Sequence, residues 1–359
     1  MSPGSRRRRP LVVAAAVSAA ACIGSMPPAP PRLQMPGIKV ETTPFRKQEV
    51  TSLEGSATAS RIMQIAGDVE QGGLLILAEN GLRWIDRHGA AQRELLFPSR
   101  MFRHRLLPLP GGHRGVGGLT SRPNAAVVLD LEGREVLRVD LGGRYDVPQF
   151  ANVTGDADDE MILPGRLDAR ILSLEGVLLG KVSMPTYASI KTVVQADDDP
   201  EYEIAFVKTS LRAGPIEVLI MNADGSRVSH WSDTEGGWLS FVPELDDRTL
   251  WGITRDGFTA WDSLGRRVKT FNAQDVHYLR YVIGAKFGGH TALIASGGGY
   301  SNLSVLSVFD HERRLVFQEV YPSRTYAAFA HPEADHFYVG ADDRVVRYSI
   351  ANSQRGDSE

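Results

Sequence analysis

The feature that most constrains this chain is an internal repeat. Six segments share the form apolar run, turn, apolar run: LRWIDRHGAAQRELLF, VVLDLEGREVLRVDL, RILSLEGVLLGKVSM, VLIMNADGSRVSHW, FTAWDSLGRRVKTF and LSVFDHERRLVFQEV. Their turns centre on Gly89, Gly133, Gly176, Gly225, Gly265 and, without glycine, Glu312, at intervals of about 40 to 49 residues, close to the period of propeller blades. Glycine adopts positive φ without a Cβ penalty, as tight hairpins between adjacent antiparallel strands require.

Ahead of each hairpin lie two more short apolar runs, DVPQFANV and EMILPG in the third unit, IKTVVQA and YEIAFV in the fourth. Helix-period patterning is nearly absent. The expectation is an all-β chain forming a single β-propeller of about seven four-stranded blades over residues 38–352, with 353–359 a disordered tail. The seventh unit, TYAAFAHPEADHFYVGADDRVVRYSI, supplies only three strands before the chain ends. Its missing outer strand is expected from the N-terminal IKVETTPF, Ile38 to Phe45, because closing the ring removes an exposed sheet edge.

Residues 1–21 read as a signal peptide: Arg6 to Arg9 form a charged n-region, and Leu11 to Ala21 an apolar stretch too short to span a bilayer. Ala19-Ala20-Ala21 then precede Cys22, the sole cysteine. This resembles the lipobox of bacterial lipoproteins, with alanine at 19 where that family usually has leucine. The resemblance implies lipidation at Cys22 and a membrane anchor. Ile23, rather than aspartate, then implies the outer membrane facing the periplasm over the inner one. Arg8-Arg9-Pro10-Leu11-Val12 also resembles a twin-arginine export signal. The proline-rich run up to residue 37 reads as an extended tether. With no second cysteine there is no internal disulfide, so the body must stand on its hydrophobic core. Removing Arg6 to Arg9 lowers the formal net charge of −3 by a further four units, and no nucleic-acid partner is expected.

The stretch ANVTGDADDEMIL sets oxygen-bearing side chains at alternate positions in the turn between first and second strands: Asn152, Thr154, Asp156, Asp158 and Glu160. Gln195, Asp197, Asp199, Glu201 and Glu203 align with them in the fourth blade. Both loops resemble the FG-GAP or VCBS repeat, some of whose blades bind calcium through D-x-D-x-D-G loops, and the resemblance implies a calcium site at 152–160. The departures are Asn152 and Thr154 for aspartates, Ala157 for the turn glycine and Pro200 inside the second loop. From the residues alone, the side chains are expected to cap backbone amides of the turn, with no cofactor.

No catalytic motif stands out. His331 and His336 are two ligands where zinc needs three or four. Ser296 to Gly299 lacks the helix and lysine of a P-loop. Trp84, Trp231, Trp251 and Trp261 read as blade packing, and Trp238 as the exposed one. Sorting loops by end of the ring collects Arg100, Arg103, Arg105, Arg122, Arg144, Arg166, Lys208, Arg212, Arg255 and Arg324 at one end and the aspartate-rich turns at the other. The functional expectation is a monomeric, non-catalytic envelope module whose basic face, with Trp238, binds an anionic protein surface or envelope polymer. The alternative is a polysaccharide lyase or hydrolase with residues lining the channel.

Overall fold

The computed structural model describes residues 40–41 and 45–351, apart from 69–71, 122–123, 142–147, 157, 166, 184–187, 189, 210–214, 236–237, 277–278, 299–300 and 332. Seven antiparallel sheets follow one another along the chain. From the centre outward, blade 1 is Ile62–Asp68, Gly73–Ala78, Gly81–Ile85 and Ala91–Leu96; blade 2 is Met101–Leu109, His113–Ser121, Asn124–Asp130 and Glu135–Asp140. Blade 3 is Gln149–Ala151, Glu160–Pro164, Asp168–Leu172 and Leu178–Ser183, and blade 4 is Ile190–Val194, Glu203–Thr209, Ile216–Met221 and Arg227–Asp233. Blade 5 is Leu239–Phe241, Leu250–Thr254, Gly257–Trp261 and Arg267–Asn272. Blade 6 is Tyr281–Phe287, His290–Gly298, Ser301–Phe309 and Leu315–Tyr321, and blade 7 begins with Thr325–Phe329, His336–Ala341 and Arg344–Ile350. First strands of neighbouring blades lie against one another, so they line the channel.

The ring closes as expected in kind but not in register. Phe45–Ser52, rather than residues 38–45, pairs with Arg344–Ile350 as the outer strand of blade 7. Val40–Glu41 instead adds a fifth strand to the outer edge of blade 6. Side-chain contacts accompany the shift. Phe45 packs against Phe317 at 5.1 Å and Phe287 at 6.4 Å between blades 6 and 7, and Val50 joins the cluster between blades 7 and 1. Lys47 donates to Glu319 at 2.6 Å and stands 5.1 Å over the Tyr321 ring. Only a strand beginning at Phe45 makes all three contacts.

The described buried residues form seven apolar clusters, one between each pair of neighbouring blades. Trp251 and Trp261 are 1% and 0% exposed within them, and Trp231 stacks on Trp261 at 6.5 Å, as their positions in strands predict. The core is therefore a set of wedges between the blades. Among the described residues no helix is long and apolar enough to cross a membrane.

The repeated hairpin has one local cause. In blade 1 the Gly89 N–H donates to the Asp86 carbonyl at 3.0 Å, while Asp86 Oδ1 accepts from the His88 and Ala90 amides. Asp130, Ser173, Asp262 and Asp310 accept in the same way, and a bulge follows each turn. The fourth position takes φ between +79° and +86° in Gly89, Gly133, Gly176, Gly225 and Gly265, and +64° in Arg313, the non-glycine case. Gly225 has open space where a Cβ would stand, whereas at Gly265 the Cβ would meet Trp231 at 2.6 Å. Gly225→Ala is therefore expected to cost about 1 kcal/mol from backbone strain alone. Gly265→Ala should cost at least twice as much in urea denaturation, and equal losses would refute this account.

Candidate functional site

Each first strand is reached from the outer strand of the preceding blade, so the residue just before it lies toward the same channel mouth in every blade, at a depth that varies with the register of the blade. That lead-in position holds Arg61 in blade 1, Arg100 in blade 2, Pro148 in blade 3, Trp238 in blade 5, Arg280 in blade 6 and Arg324 in blade 7. Five consecutive blades, from 5 around to 2, thus contribute a tryptophan and four arginines to one arc.

The arc is continuous. Trp238 meets Tyr281 at 5.6 Å, and the Arg280 guanidinium lies 5.8 Å over the Trp238 ring. Gly297, at φ +60°, lets the chain pass beneath: a Cβ there would stand 3.4 Å from Arg324 Nε and 3.5 Å from the Tyr281 ring. Its carbonyl accepts from the Arg280 amide at 2.8 Å. Arg324 reaches the Tyr326 hydroxyl at 3.5 Å, and Arg61 covers the Tyr326 ring at 5.4 Å. Arg61 and Arg100 then share Glu79, at 3.4 and 2.5 Å. Beneath Arg324, the Thr325 amide donates to Ser304 Oγ at 2.8 Å, and Ser304 Oγ donates to Ser296 Oγ at 2.8 Å. This buried network holds the rim backbone in one position. Arg324 Nε is itself buried without a hydrogen-bond partner. Next to the arc His104 is 4% exposed and bonded to the Ala78 carbonyl. Burial pulls its pKa down to about 4, so it is neutral at pH 7.

The other mouth is built from the turns after the first strands. The Tyr202 amide donates to the Asn152 carbonyl at 2.7 Å and the Gln195 amide to the Asp247 carbonyl at 3.0 Å, stitching the turns of blades 3, 4 and 5 together. Burial raises the Asp159 carboxyl, opposed by the charge of Arg105. Burial likewise raises the Tyr202 phenol, with the charges of Asp247 and Asp159 adding to it. Arg105, Asp159, Tyr202 and Asp247 therefore converge from four blades.

In the expected calcium loop several oxygens bond within the turn itself, although Thr154, Asp156 and Asp158 stay exposed. Both Glu160 oxygens are engaged, by the Val153 amide at 2.7 Å and the Thr154 hydroxyl at 2.6 Å, and Asn152 and Asp156 cap the Gly155 and Asp158 amides. In blade 4 one oxygen from each of Asp197, Asp199 and Glu203 lies within 4.8 Å of the other two, the one such trio among the described residues. Here too Asp197 and Asp199 cap the Asp199 and Glu201 amides, and Glu203 accepts from the Ala196 amide. With the oxygens bound to amides, the unfolding midpoint is expected to be the same in millimolar calcium and in chelator. A rise of several degrees in calcium would instead assign these loops a metal.

The basic residues expected at one end divide differently. Arg100, Arg255 and Arg324 lie in loops of the rim end, and Lys208 near it, paired with Glu217 at 3.3 Å. Arg105 is a correction: it sits within a strand, and its charge acts at the opposite mouth. Arg122, Arg144, Arg166, Arg212 and Cys22, and the side chain of Arg103, lie outside the described residues. Arginines also occur at the acidic end, so the ends are not divided by arginine content. There Arg134, Arg266 and Arg314 are held by Asp130, Asp262 and Asp310 of their own turns at 2.6 to 2.7 Å. Acids also reach the rim end, as Asp256, Asp342 and Asp343. Trp238 is half-buried rather than exposed. Arg61 and Arg280 were missed from the sequence; the signal that finds them is the residue just before each first strand.

These features define a seven-bladed β-propeller with two differently built channel mouths. No protein family matches the sequence, and no curated relative does. Solved structures do share the fold. Virginiamycin B lyase from Staphylococcus aureus superposes with a TM-score of 0.57 at 11% identity, over 86% of this chain and 100% of that one. A streptogramin B lyase gives 0.58 at 10%, over 85% and 98%. A catalytically inactive histidine-to-alanine form of the Staphylococcus aureus lyase with quinupristin gives 0.58 at 11%, over 86% and 100%. At such identities the likeness is one of fold alone.

Proposed function

We propose that this chain is a non-catalytic, lipid-anchored propeller of the bacterial envelope, attached through Cys22 to the outer membrane facing the periplasm. It binds an anionic partner at the rim formed by Trp238, Arg280, Arg324, Arg61 and Arg100. The observation that supports this reading is that those residues head the first strands of five consecutive blades and are linked by ring, guanidinium and ion-pair contacts. Loops on a rigid scaffold are where binding resides, and tryptophan, tyrosine and arginine dominate binding energies at interfaces.

The test is in-cell crosslinking and recovery of the full-length protein beside a form carrying Arg61→Glu, Arg280→Glu and Arg324→Glu. The native form is expected to recover a partner that the reversed form loses by at least about tenfold, the loss expected from even one charge-assisted contact. Cys22→Ser should move the protein from the membrane fraction to the soluble one. Identical recoveries from both forms would end the rim reading.

A second reading, an envelope polysaccharide lyase or hydrolase, is favoured by the convergence of Arg105, Asp159, Tyr202 and Asp247 at the opposite mouth. It would be supported by turnover of envelope glycans that Tyr202→Phe abolishes and the rim reversals leave intact.

A further inference from the structure

We infer that the rim is a carboxylate-reading site for an extended acidic peptide segment of a partner protein; this inference rests on the binding reading above and supplies the ligand class it leaves open. The ligand class follows from what covers the aromatic rings. Arg280 lies over the face of Trp238 and Arg61 over the face of Tyr326, while Tyr281 meets Trp238 at 68° to its plane. A sugar ring needs a bare aromatic face to stack on. Here a guanidinium already lies over one face of each of Trp238 and Tyr326, and Trp238 is half-buried.

A guanidinium stacked on a ring is held flat with its N–H edge turned outward, the geometry in which arginine forks two hydrogen bonds onto one carboxylate. Arg324 adds a third donor group. Its Nη1 makes a 3.5 Å contact with the Tyr326 hydroxyl, while its Nε is buried beside Gly297 and leaves the terminal nitrogens to meet a ligand. Among the described residues, the buried carboxylate of the arc is Glu79, which faces Arg61 and Arg100, so arginines outnumber carboxylates there by four to one.

Successive arginines come from successive blades, so a matching ligand must present several carboxylates along one run. An extended peptide with acidic residues at alternate positions does so, because its alternate side chains share one side. Its backbone amides can also meet the tyrosine hydroxyls. Asp256, Asp342 and Asp343, on the loops between second and third strands, flank the rim and would repel acidic residues set farther out. The favoured ligand is thus an acidic run bounded by neutral or basic residues.

Fluorescence anisotropy with the full-length protein tests this. The probe is a short labelled peptide with glutamate at alternate positions between serines; the control has glutamine in their place. The glutamate peptide should bind with an affinity that falls as salt rises, and the glutamine peptide should not bind. Arg324→Gln and Arg280→Gln should each weaken binding about tenfold or more, as expected for a charged hydrogen-bond pair. Arg324→Lys should fall between, since it keeps the charge and loses the fork. Trp238→Leu should weaken binding about fivefold through loss of the ring that holds Arg280. Arg266→Gln, at the other end of the ring, should change nothing, and unfolding midpoints verify that each variant is folded.

Equal binding of the two peptides, or binding untouched by Arg324→Gln, would overturn the inference. So would an oligouronate that binds in an Arg324-dependent manner while the glutamate peptide does not, which would move the ligand to a carboxylated polysaccharide. If the peptide fails but rim-dependent crosslinks persist in cells, only the ligand class falls. If both fail, the rim reading falls with it.

Discussion

Asp233→Ala is expected to destabilise the protein by about 3 kcal/mol at pH 7. Asp233 ends the outer strand of blade 4, yet its carboxylate serves blade 5. Oδ2 accepts from Trp261 Nε1 at 2.9 Å and Arg267 Nε at 2.8 Å, and Oδ1 accepts from Arg267 Nη2 at 2.7 Å and the Glu235 amide at 3.0 Å. The side chain is 13% exposed and the Trp261 it serves is wholly buried. Arg267 chiefly, with the Glu235 amide and the Trp261 N–H and against the effect of burial, holds the Asp233 pKa down to about 2.

The sign follows from the lowered value. The contribution is fully present above the unfolded value near 3.8 and is lost as pH falls through about 2. The shift itself corresponds to about 2 kcal/mol, and truncation adds the desolvation of a Trp261 N–H left without an acceptor, about 1 kcal/mol. Asp233→Asn, which can still accept from Trp261, should cost less. Urea denaturation at pH 7 and near pH 2 measures both terms. A loss below about 1 kcal/mol at pH 7, or one that does not shrink in acid, would show that the two outer strands hold without this clasp.

Glu203→Gln should do the opposite and stabilise the protein by about 2 kcal/mol at pH 8. Glu203 is 1% exposed, and burial raises its pKa to about 7; the Ala196 amide works against this, and the charges of Asp197 and Asp199 reinforce it. Its effect on stability therefore runs the other way from that of Asp233. Below about pH 4.5 the carboxyl is neutral whether folded or not and carries no penalty; as pH rises through 7 the folded protein must ionise a buried group beside two aspartates. Glutamine keeps an acceptor for the Ala196 amide and removes the charge. The gain should vanish near pH 4, where both forms are uncharged. A gain independent of pH would trace to packing instead.

His104 bears on the same profile, because a histidine held down to about 4 withdraws stability as pH falls below its ordinary value. With Glu203 replaced, the acid-side loss from His104 should stand out more clearly in the variant than in the native protein.

Much of the architecture is legible because it is local. The six hairpin turns announce themselves through an Asp, Asn or Ser followed three residues later by a residue at positive φ, and that geometry needs no distant partner. The capping role of Asn152, Asp156 and Glu160 is legible for the same reason, since donor and acceptor lie within a few residues of each other. The tryptophans in strands could be assigned to the blade interfaces from their alternation.

What escaped was the outcome of ring closure. Closure of the exposed edge is expected from 38–45, but the strand was decided by Phe45, Lys47 and Val50 meeting blades 6, 7 and 1, through contacts such as Lys47–Glu319 between residues 272 positions apart. Arg105 reads as a loop residue by sequence and faces the opposite mouth because it sits within a first strand. Asp233 and Arg267 lie 34 residues apart and look like two unrelated surface charges until their outer strands are brought side by side.

The chain's order of turns and apolar runs thus determined, by itself, that it would fold into a ring of seven similar sheets, since each of those preferences acts over a few bonds. Only the tertiary structure decided which residues share the rim. Arg61, Arg100, Trp238, Arg280 and Arg324 follow linkers of different lengths and sequences, and nothing local relates them. They become neighbours because closing the ring superposes the start of every first strand around one axis.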